Sequence, residues 1–506
     1  MEKSEYKLAG FKFKTRGDNQ YFYDDNTGMV FPCPDVMFEI LQLYGDHSKT
    51  GLIDILESKY TKRDILNYLD LVEKWTKIHG SFFIKKRDST VLQEVSEEKI
   101  ITHLQNYGFK QLILNVTENC NLRCEYCLFS SEYFYERTHS KNRMEFSTAK
   151  KAVDYFHGWF SKVRERIPER VPVIGFYGGE PLLEFDLIRG VIEYIKDTFD
   201  YEVFLTMTTN AVLLTEQIID YLVENKVSVV ISLDGPREEH DRLRKTANGN
   251  GTFEKVMRNL ELFSEKYPGY PYNIIISTHD WGTDLNAVKR FFREEKDRLP
   301  FVARASFVNP QYTNYFDRYD KKERLAFEER LRSLKEEYFS EVTKNRDRIP
   351  GYLDSLVGLS CRLILLRQMI GDHLHLLLPY SSACVPGDKL SVSWDGIFHI
   401  CEKVNDHFPI GNVDEGLDFT KIAALIRQYR ETILSACNRC PITRLCMSCY
   451  VHYAAEGEFK MEPADFCKNA IVNAIEEMAF TYSILEENPV AFKSMMTDYY
   501  KELSWL

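Results

Sequence analysis

The sequence predicts an α/β protein centred on a partial parallel (β/α)6 barrel, and two observations predict it. Between Gly108 and about residue 320, six short apolar runs alternate with amphipathic helical stripes, the pattern of parallel strands joined by crossover helices. On either side the pattern stops: strands and then helices precede it, and eight cysteines gather after Ser360.

Residues 1–95 open with extended runs from Tyr6 to Lys14, Gln20 to Asp24 and Gly28 to Cys33, the last two separated by the turn signal Asp25-Asn26-Thr27-Gly28. Three helical stripes follow. They are marked by Val36, Phe38, Ile40 and Leu41, by the run from Leu52 to Ser58, and by Ile65, Leu66, Leu69, Leu71 and Val72. Three strands and then three helices predict a winged-helix-like module, whose many acidic residues argue against DNA. The barrel strands are Leu112 to Val116, Val171 to Tyr177, Val203 to Thr208, Val227 to Leu233, Asn273 to Ser277 and Val302 to Phe307. Between them, sets such as Ala149, Ala152, Val153, Phe156 and Phe160, or Ile188, Val191, Ile192 and Ile195, recur at helical spacing. In folds of this kind chemistry gathers at the carboxyl ends of the strands. The barrel domain spans 108–320. A charged helix from Lys321 to Asp347 and another from Ser355 to Ile370 lead out of it. They give a helical bridge over 321–360, a cysteine-rich domain over 361–485 and a helical tail over 486–506.

With 506 residues, 44% of them hydrophobic, the chain can bury several cores. A net charge of −11 excludes a nucleic-acid footprint, which needs clustered Lys and Arg. No run approaches the ~18 apolar residues of a membrane span, and the start Met-Glu-Lys-Ser-Glu-Tyr has no signal-peptide core. The expected location is the cytoplasm, where twelve cysteines are metal ligands or catalytic groups rather than disulfides.

Cys120, Cys124 and Cys127 follow the first barrel strand in the run Asn-Cys-Asn-Leu-Arg-Cys-Glu-Tyr-Cys. A cubane iron–sulfur cluster takes four thiolates, so three leave one iron open to a small molecule. Zinc is the alternative and would need a fourth ligand; His103 and His139 flank the loop at no finger-like spacing. Polar groups close the next strands: Gly178-Gly179-Glu180-Pro181, then Thr209-Asn210, then Ser232-Leu233-Asp234-Gly235, running on to Arg244. Paired glycines let a backbone approach a ligand closely, and the Glu180 carboxylate suits an ammonium group. Polar strand ends also cap helices, which is the plainer reading.

On these motifs, residues 110 to about 310 resemble the radical S-adenosylmethionine superfamily. The resemblance implies that Cys120, Cys124 and Cys127 hold a [4Fe–4S] cluster whose open iron takes S-adenosyl-L-methionine, cleaved reductively to a 5′-deoxyadenosyl radical. It further implies that Tyr126 lies near the adenine and that Gly178, Gly179 and Glu180 bind the methionine amine. Asn210 and Ser232 would face the ribose and carboxylate, Arg244 would hold the carboxylate, and Asp234 belongs to the same cofactor-binding set.

The later cysteines are Cys361, Cys384, Cys401, Cys437, Cys440, Cys446, Cys449 and Cys467, and their order resembles the SPASM extension. It departs from many members by having two rather than three residues between Cys446 and Cys449. This resemblance implies two auxiliary clusters, hence three [4Fe–4S] clusters in all. Cys437, Cys440, Cys446 and Cys467 would hold one, and Cys384, Cys401 and Cys449 the other. Cys361 is the candidate eighth ligand; it stands in an apolar helical stretch, where a buried structural cysteine is the alternative. A zinc ribbon is the other reading of Cys437 to Cys449. Glu402 stands where some relatives place a catalytic base, although a solvated glutamate would look the same.

Residues 1–95 resemble the element by which enzymes of ribosomally made peptides recognise a leader, the leader adding a strand at a sheet edge. A stabilising cap is the alternative. Together the three parts resemble peptide maturases of the sactipeptide and ranthipeptide type, which join a cysteine sulfur to a carbon of an acceptor residue. That implies a leader-bearing precursor peptide as substrate and an electron donor such as flavodoxin or ferredoxin. Carbon–carbon cross-linking and sulfatase-type formylglycine formation are alternatives. Epimerisation ranks lower, because only Cys33 and Cys361 are left to return a hydrogen atom. An iron–sulfur electron carrier or a peptide-presenting scaffold are the readings without catalysis, and Gly178 to Glu180 and Ser232 to Gly235 speak against the carrier.

Overall fold

The computed structural model describes residues 7–84, 94–344, 351–367, 369, 377–379, 381–461, 464–490 and 493. Most of the expected 486–506 tail lies outside these, as do the ends of the helices expected to reach Asp347 and Ile370.

Strand β1 (Lys7–Leu8) is followed by an antiparallel sheet of β2 (Gly10–Lys14), β3 (Gln20–Asp24) and β4 (Met29–Pro32), and β5 (Phe83–Ile84) returns to pair with β1. The first extended run therefore breaks at Ala9, whose N–H leaves the sheet for the Phe82 carbonyl at 2.7 Å. Helices Asp35–Leu43, Lys49–Leu56 and Lys62–His79 cover one face of the sheet, burying Phe22 with Met37, Ile40 and Leu69. Ser48 and Thr61 start the second and third by accepting N–H groups of their first turns. The opposite face, carrying Phe11, Phe13 and Tyr23, packs on Ala474 and Met478 of the long helix Ala464–Glu487.

The six barrel strands lie where the apolar runs predict: β6 (Gln111–Thr117), β7 (Val173–Gly178), β8 (Phe204–Thr209), β9 (Ser228–Ser232), β10 (Asn273–His279) and β11 (Phe301–Phe307). They stand side by side in chain order, all parallel. Every residue of β6 after the first is buried, as a parallel strand covered on both faces requires. The helices between bury the predicted stripes, for example Ile188, Val191, Ile192 and Ile195 of Phe185–Thr198.

At β6 the sheet continues. β12 (Lys389–Val392) lies parallel to β6 with Leu390 opposite Leu112, and β13 (Ile397–His399), β14 (Pro409–Asn412) and β15 (Gly416–Leu417) follow as an antiparallel meander, giving ten strands. Sequence patterning predicts none of the four. With two to four residues each and glycines at 396, 411 and 416, they are too short to show a period. The chain leading into the cysteine-rich region is thus hydrogen-bonded edge-on to the barrel.

The helix expected from Ser355 begins at Gly351, widens into a π turn over Asp354–Gly358 and ends as Leu359–Leu365. Buried Asp354 organises this irregularity by accepting the Tyr338 hydroxyl at 2.9 Å and Arg362 Nη1 at 2.6 Å. Among the described residues no helix is long and apolar enough to cross a membrane.

Candidate active site

The loop after β6 is pinned from two sides. Gly179 N–H donates to Thr117 O (2.8 Å) and Glu180 N–H to Asn119 O (2.9 Å), while Arg123 and Glu125 N–H donate to the carbonyls of Lys245 (2.7 Å) and Leu243 (3.1 Å). A side chain at Gly178 would meet Thr117 O at 2.2 Å, and one at Gly179 would meet Asn119 O at 2.1 Å. The close approach that these glycines allow is therefore to the backbone of the cysteine loop. Gly178 also needs its glycine for conformation, at φ 131°.

Within the loop, Leu122 N–H donates to Cys120 Sγ at 3.4 Å, and Cys127 N–H to Cys124 O at 3.1 Å. Burial pushes the Cys120 thiol up to about 11 and the Cys124 thiol up to about 12; the nearby Arg244 guanidinium acts against this at both. Each thiol lies within electrostatic reach of the others. Tyr126 turns its hydroxyl to Asp234 Oδ2 (2.7 Å) and accepts Arg244 Nη1 (2.5 Å), and Asp234 Oδ1 accepts Thr278 N–H (2.9 Å). This chain of contacts ties the loop to the ends of β9 and β10. Arg244 Nε is buried and has no hydrogen-bond partner among the described residues.

Glu180 is buried and fully engaged: Oε1 accepts Leu182 N–H (3.1 Å) and the Thr209 hydroxyl (2.7 Å), and Oε2 accepts Asn210 N–H (2.8 Å). Asn210 Nδ2 donates to Asn121 Oδ1 at 2.7 Å and stands 4.0 Å from Cys120 Sγ. Half-buried Ser232 has no hydrogen bond from its hydroxyl among the described residues. Glu180, Asn210, Asp234, Arg244 and Tyr126 thus gather around the three thiols.

Next to them is a second layer that sequence reasoning missed. Asp280, just after β10, accepts both terminal nitrogens of Arg242 (3.0 and 2.7 Å), the Tyr315 hydroxyl (2.6 Å) and the Tyr319 hydroxyl. Burial raises its carboxyl, but these donors outweigh burial and hold it down at about 2. Arg137 joins Glu118 (3.3 Å) to Asp406 (3.1 Å) over the ring of Phe129. Its neighbour Glu136 lines a small cavity of about 20 Å³ with Tyr133, Asn309, Tyr312, Lys403 and Asn405. These residues lie in aperiodic loops; the only signal was charge inside an aromatic run, Tyr133-Phe134-Tyr135-Glu136-Arg137.

Burial, then the Asp406 carboxylate, lifts the Glu136 carboxyl from 4.5 to about 7. An acid that binds its proton more tightly when folded contributes stability that is fully present below 4.5 and lost as pH rises through 7. Glu136→Gln should therefore raise the anaerobic unfolding midpoint at alkaline pH, by roughly 1–2 kcal/mol of stability, and leave it unchanged in acid. An equal shift at both ends of the range would mean that the carboxyl does not titrate in this window.

Of the later cysteines, Cys437 ends a short helical turn and its carbonyl accepts the Cys440 N–H at 3.0 Å. Cys440 lies within electrostatic reach of Cys446 and Cys467, and Cys384 of Cys449. A hollow of about 380 Å³ opens between Cys446, Met447, Phe466 and Asn473. Cys401 donates to Glu402 Oε2 at 3.0 Å. Burial raises the Glu402 carboxyl, but Lys389, that thiol and Lys403 more than offset it and leave the group below its usual range. Tyr177, at the end of β7, lies within reach of Cys127, Cys401 and Glu402 together. Cys361 is set apart: buried in Leu359–Leu365, its thiol lies against Thr481, Glu477 and Asp354. No disulfide joins any of the twelve cysteines. Among the described residues no three His, Cys, Asp or Glu side chains are grouped as a metal ion would need.

Residues 114–280 match the family model described as the Radical SAM superfamily. The chain carries a radical SAM domain. An uncharacterized protein of Methanocaldococcus jannaschii is 37% identical over 154 residues, covering 30% of this chain and 48% of that protein. A cysteine-type anaerobic sulfatase-maturating enzyme of Clostridium novyi is 26% identical over 317 residues, covering 61% of this chain and 77% of that enzyme. The solved structure of native anSMEcpe with bound AdoMet shares the fold at a TM-score of 0.52 and 22% identity, over 77% of this chain and 99% of that one. The chain spans about half the length of the first of these relatives.

A radical SAM domain implies S-adenosyl-L-methionine and one [4Fe–4S] cluster. The site fits both. Three neighbouring thiols lie within electrostatic reach of buried Arg244, whose Nε lacks a partner among the described residues, which suits an anionic thiolate cluster and a ligand bearing a carboxylate.

Proposed function

We propose that the protein is a radical SAM maturase of a ribosomally synthesised, leader-bearing precursor peptide, installing thioether bonds between cysteine sulfur and an acceptor carbon. The observation that carries this reading is the continuity of the sheet: β12 pairs with β6 and β13 with β12, so the segment that leads to Cys401 and Glu402 extends the barrel's own sheet. A peptide held along that sheet would lie between the two cysteine sets.

Bound S-adenosyl-L-methionine and the cluster supply a 5′-deoxyadenosyl radical, the chemistry that belongs to the cofactor rather than to the chain. The chain's part is placement. Cys120, Cys124 and Cys127 hold the cluster; Arg244 offers its free Nε to the methionine carboxylate, and the backbone of Gly178 and Gly179, oriented by Glu180, receives the amine. Ser232 and Asn210 present polar groups to the ribose, and Tyr126, held by Asp234, lies beside the adenine. Cys437, Cys440, Cys446 and Cys467 hold one auxiliary cluster, and Cys384, Cys401 and Cys449 a second. Cys361 is the reserve eighth ligand and Glu402 the candidate base. The 1–95 module receives the leader as an added strand. A flavodoxin or ferredoxin donates electrons, and the compartment is the cytoplasm.

Similarity to a sulfatase-maturating enzyme over 61% of the chain favours formylglycine formation as the second reading. Co-expression with the product of a neighbouring small cysteine-bearing reading frame separates the two. Thioether formation should remove two hydrogens per cross-link and consume one free thiol each, as intact mass and alkylation show. Unmodified peptide together with conversion of a sulfatase-type cysteine peptide would reject the first reading and support the second.

A further inference from the structure

We propose that the N-terminal sheet is a built-in part of the second cysteine site, and that Asp25 is the positioning residue that sets the turn between Cys440 and Cys446. This rests on the reading that Cys440, Cys446 and Cys467 hold an iron–sulfur cluster. A recognition module tethered for peptide capture alone would touch the rest of the chain through exposed, exchangeable contacts. Here the contact is buried and made by a charged group.

Asp25 stands on the β3–β4 turn and is 1% exposed. Its carboxylate accepts the N–H groups of Thr443 and Arg444, both at 3.0 Å, and the Thr443 hydroxyl. The Tyr23 hydroxyl, at 2.9 Å, orients it from behind. The contact is reciprocal, because Arg444 Nε donates to Asp25 O (2.8 Å) and Nη2 to Asn26 O (2.9 Å). Two adjacent N–H groups aimed at one carboxylate are the interaction that starts a helical turn, here supplied from 418 residues away. Ile442, from the same turn, is buried among Phe11, Phe13 and Tyr23 of the sheet. Within the turn, Leu445 N–H donates to Ile442 O at 3.0 Å.

The same sheet also holds the other side of the site. Thr15 and Tyr21 donate to the Glu486 carboxylate at 2.8 and 2.7 Å, and Arg16 N–H donates to Ser483 at 2.9 Å. Glu486 and Ser483 belong to the helix Ala464–Glu487, whose first turn bears Cys467. One sheet therefore touches both the Cys440–Cys446 turn and, farther along, the helix that bears Cys467. A cluster bridging them and a sheet docked on both must favour one another to the same degree, since coupling between sites is reciprocal. Ligand binding at the sheet would then be felt at the cysteines.

The test uses the full-length chain, reconstituted anaerobically, with three variants: Asp25→Ala, Thr443→Val and the pair Cys440→Ala with Cys446→Ala. Iron per chain, low-temperature EPR, amide exchange over residues 442–445 and 5′-deoxyadenosine formation are read. Asp25→Ala should lose about four irons per chain, one cubane's worth, and the exchange protection of the turn should fall at least about tenfold. 5′-Deoxyadenosine formation should persist, which shows that the barrel is folded. Full iron and unchanged exchange in Asp25→Ala would overturn the inference. If the cysteine pair also keeps all its iron, the cluster reading itself is wrong, a separate failure. Should Asp25→Ala lose barrel activity as well, Thr443→Val decides: it removes one donor to the carboxylate, and unchanged protection of the turn would reject the role of Asp25.

Discussion

Changing Cys120, Cys124 and Cys127 together to alanine should reduce 5′-deoxyadenosine formation to background while the protein still folds. The expectation of retained fold comes from packing. The three thiols are only half-buried and lie in a loop whose anchors are backbone bonds from Gly179, Glu180, Arg123 and Glu125, none of which uses a cysteine side chain. Trimming such side chains costs on the order of 1 kcal/mol. Iron per chain should fall by about four, one cubane's worth, and the peptide should emerge unmodified with its affinity unchanged. This experiment separates three classes of function. An electron carrier would make no 5′-deoxyadenosine even as wild type, and a presenting scaffold would act normally without the thiols. Unmodified peptide with normal binding is the result for an enzyme alone, and modification by the triple variant would sink the radical reading.

The barrel was legible because its physics repeats along the chain. Each strand is a short apolar run, each helix an apolar stripe, and observed limits such as Phe204–Thr209 and Phe301–Phe307 lie within one or two residues of the patterns. Strands β12 to β15 were illegible for the converse reason: they are too short to show a period, and β12, which anchors them, pairs with β6, a partner more than 270 residues away. The site divided in the same way. Residue types at strand ends pointed to Glu180, Asn210, Asp234 and Arg244, and the structure gathers them. What composition could not show is which group each one serves. Glu180 was read as an acceptor for a ligand ammonium, yet its oxygens hold Leu182, Thr209 and Asn210 in place. Tyr126 was read as a ring, yet its hydroxyl bridges Asp234 and Arg244. Asp25 looked like part of an ordinary turn signal, and its partners at Thr443 and Arg444 exist only in three dimensions.

Gly179→Ala should be nearly as damaging as loss of the thiols, though it removes no chemical group. The added methyl would sit 2.1 Å from Asn119 O, 2.5 Å from Asn119 C and 3.0 Å from Glu118 O. All three are backbone atoms, so no side-chain rotation relieves the contact. Either the β7 turn retreats, breaking the bonds from Gly179 and Glu180 to Thr117 O and Asn119 O, or the loop moves, and Cys120 is the next residue along. Forcing a methyl into such a space costs roughly 1–3 kcal/mol. The larger effect falls on geometry, because a shift of ~1 Å in a positioned group costs on the order of 10²-fold in rate. Iron at the first site and the 5′-deoxyadenosine rate should therefore fall together, the rate by about a hundredfold, with a modest loss of thermal midpoint. Gly158→Ala is the matched control, since nothing lies within 4 Å of a side chain there and alanine in a helix is favoured by up to ~1 kcal/mol. If both variants keep full activity, the glycine pair is not what fixes the cysteine loop. If Gly179→Ala loses stability but not rate, the glycines serve folding alone and the amine-binding role falls to other groups.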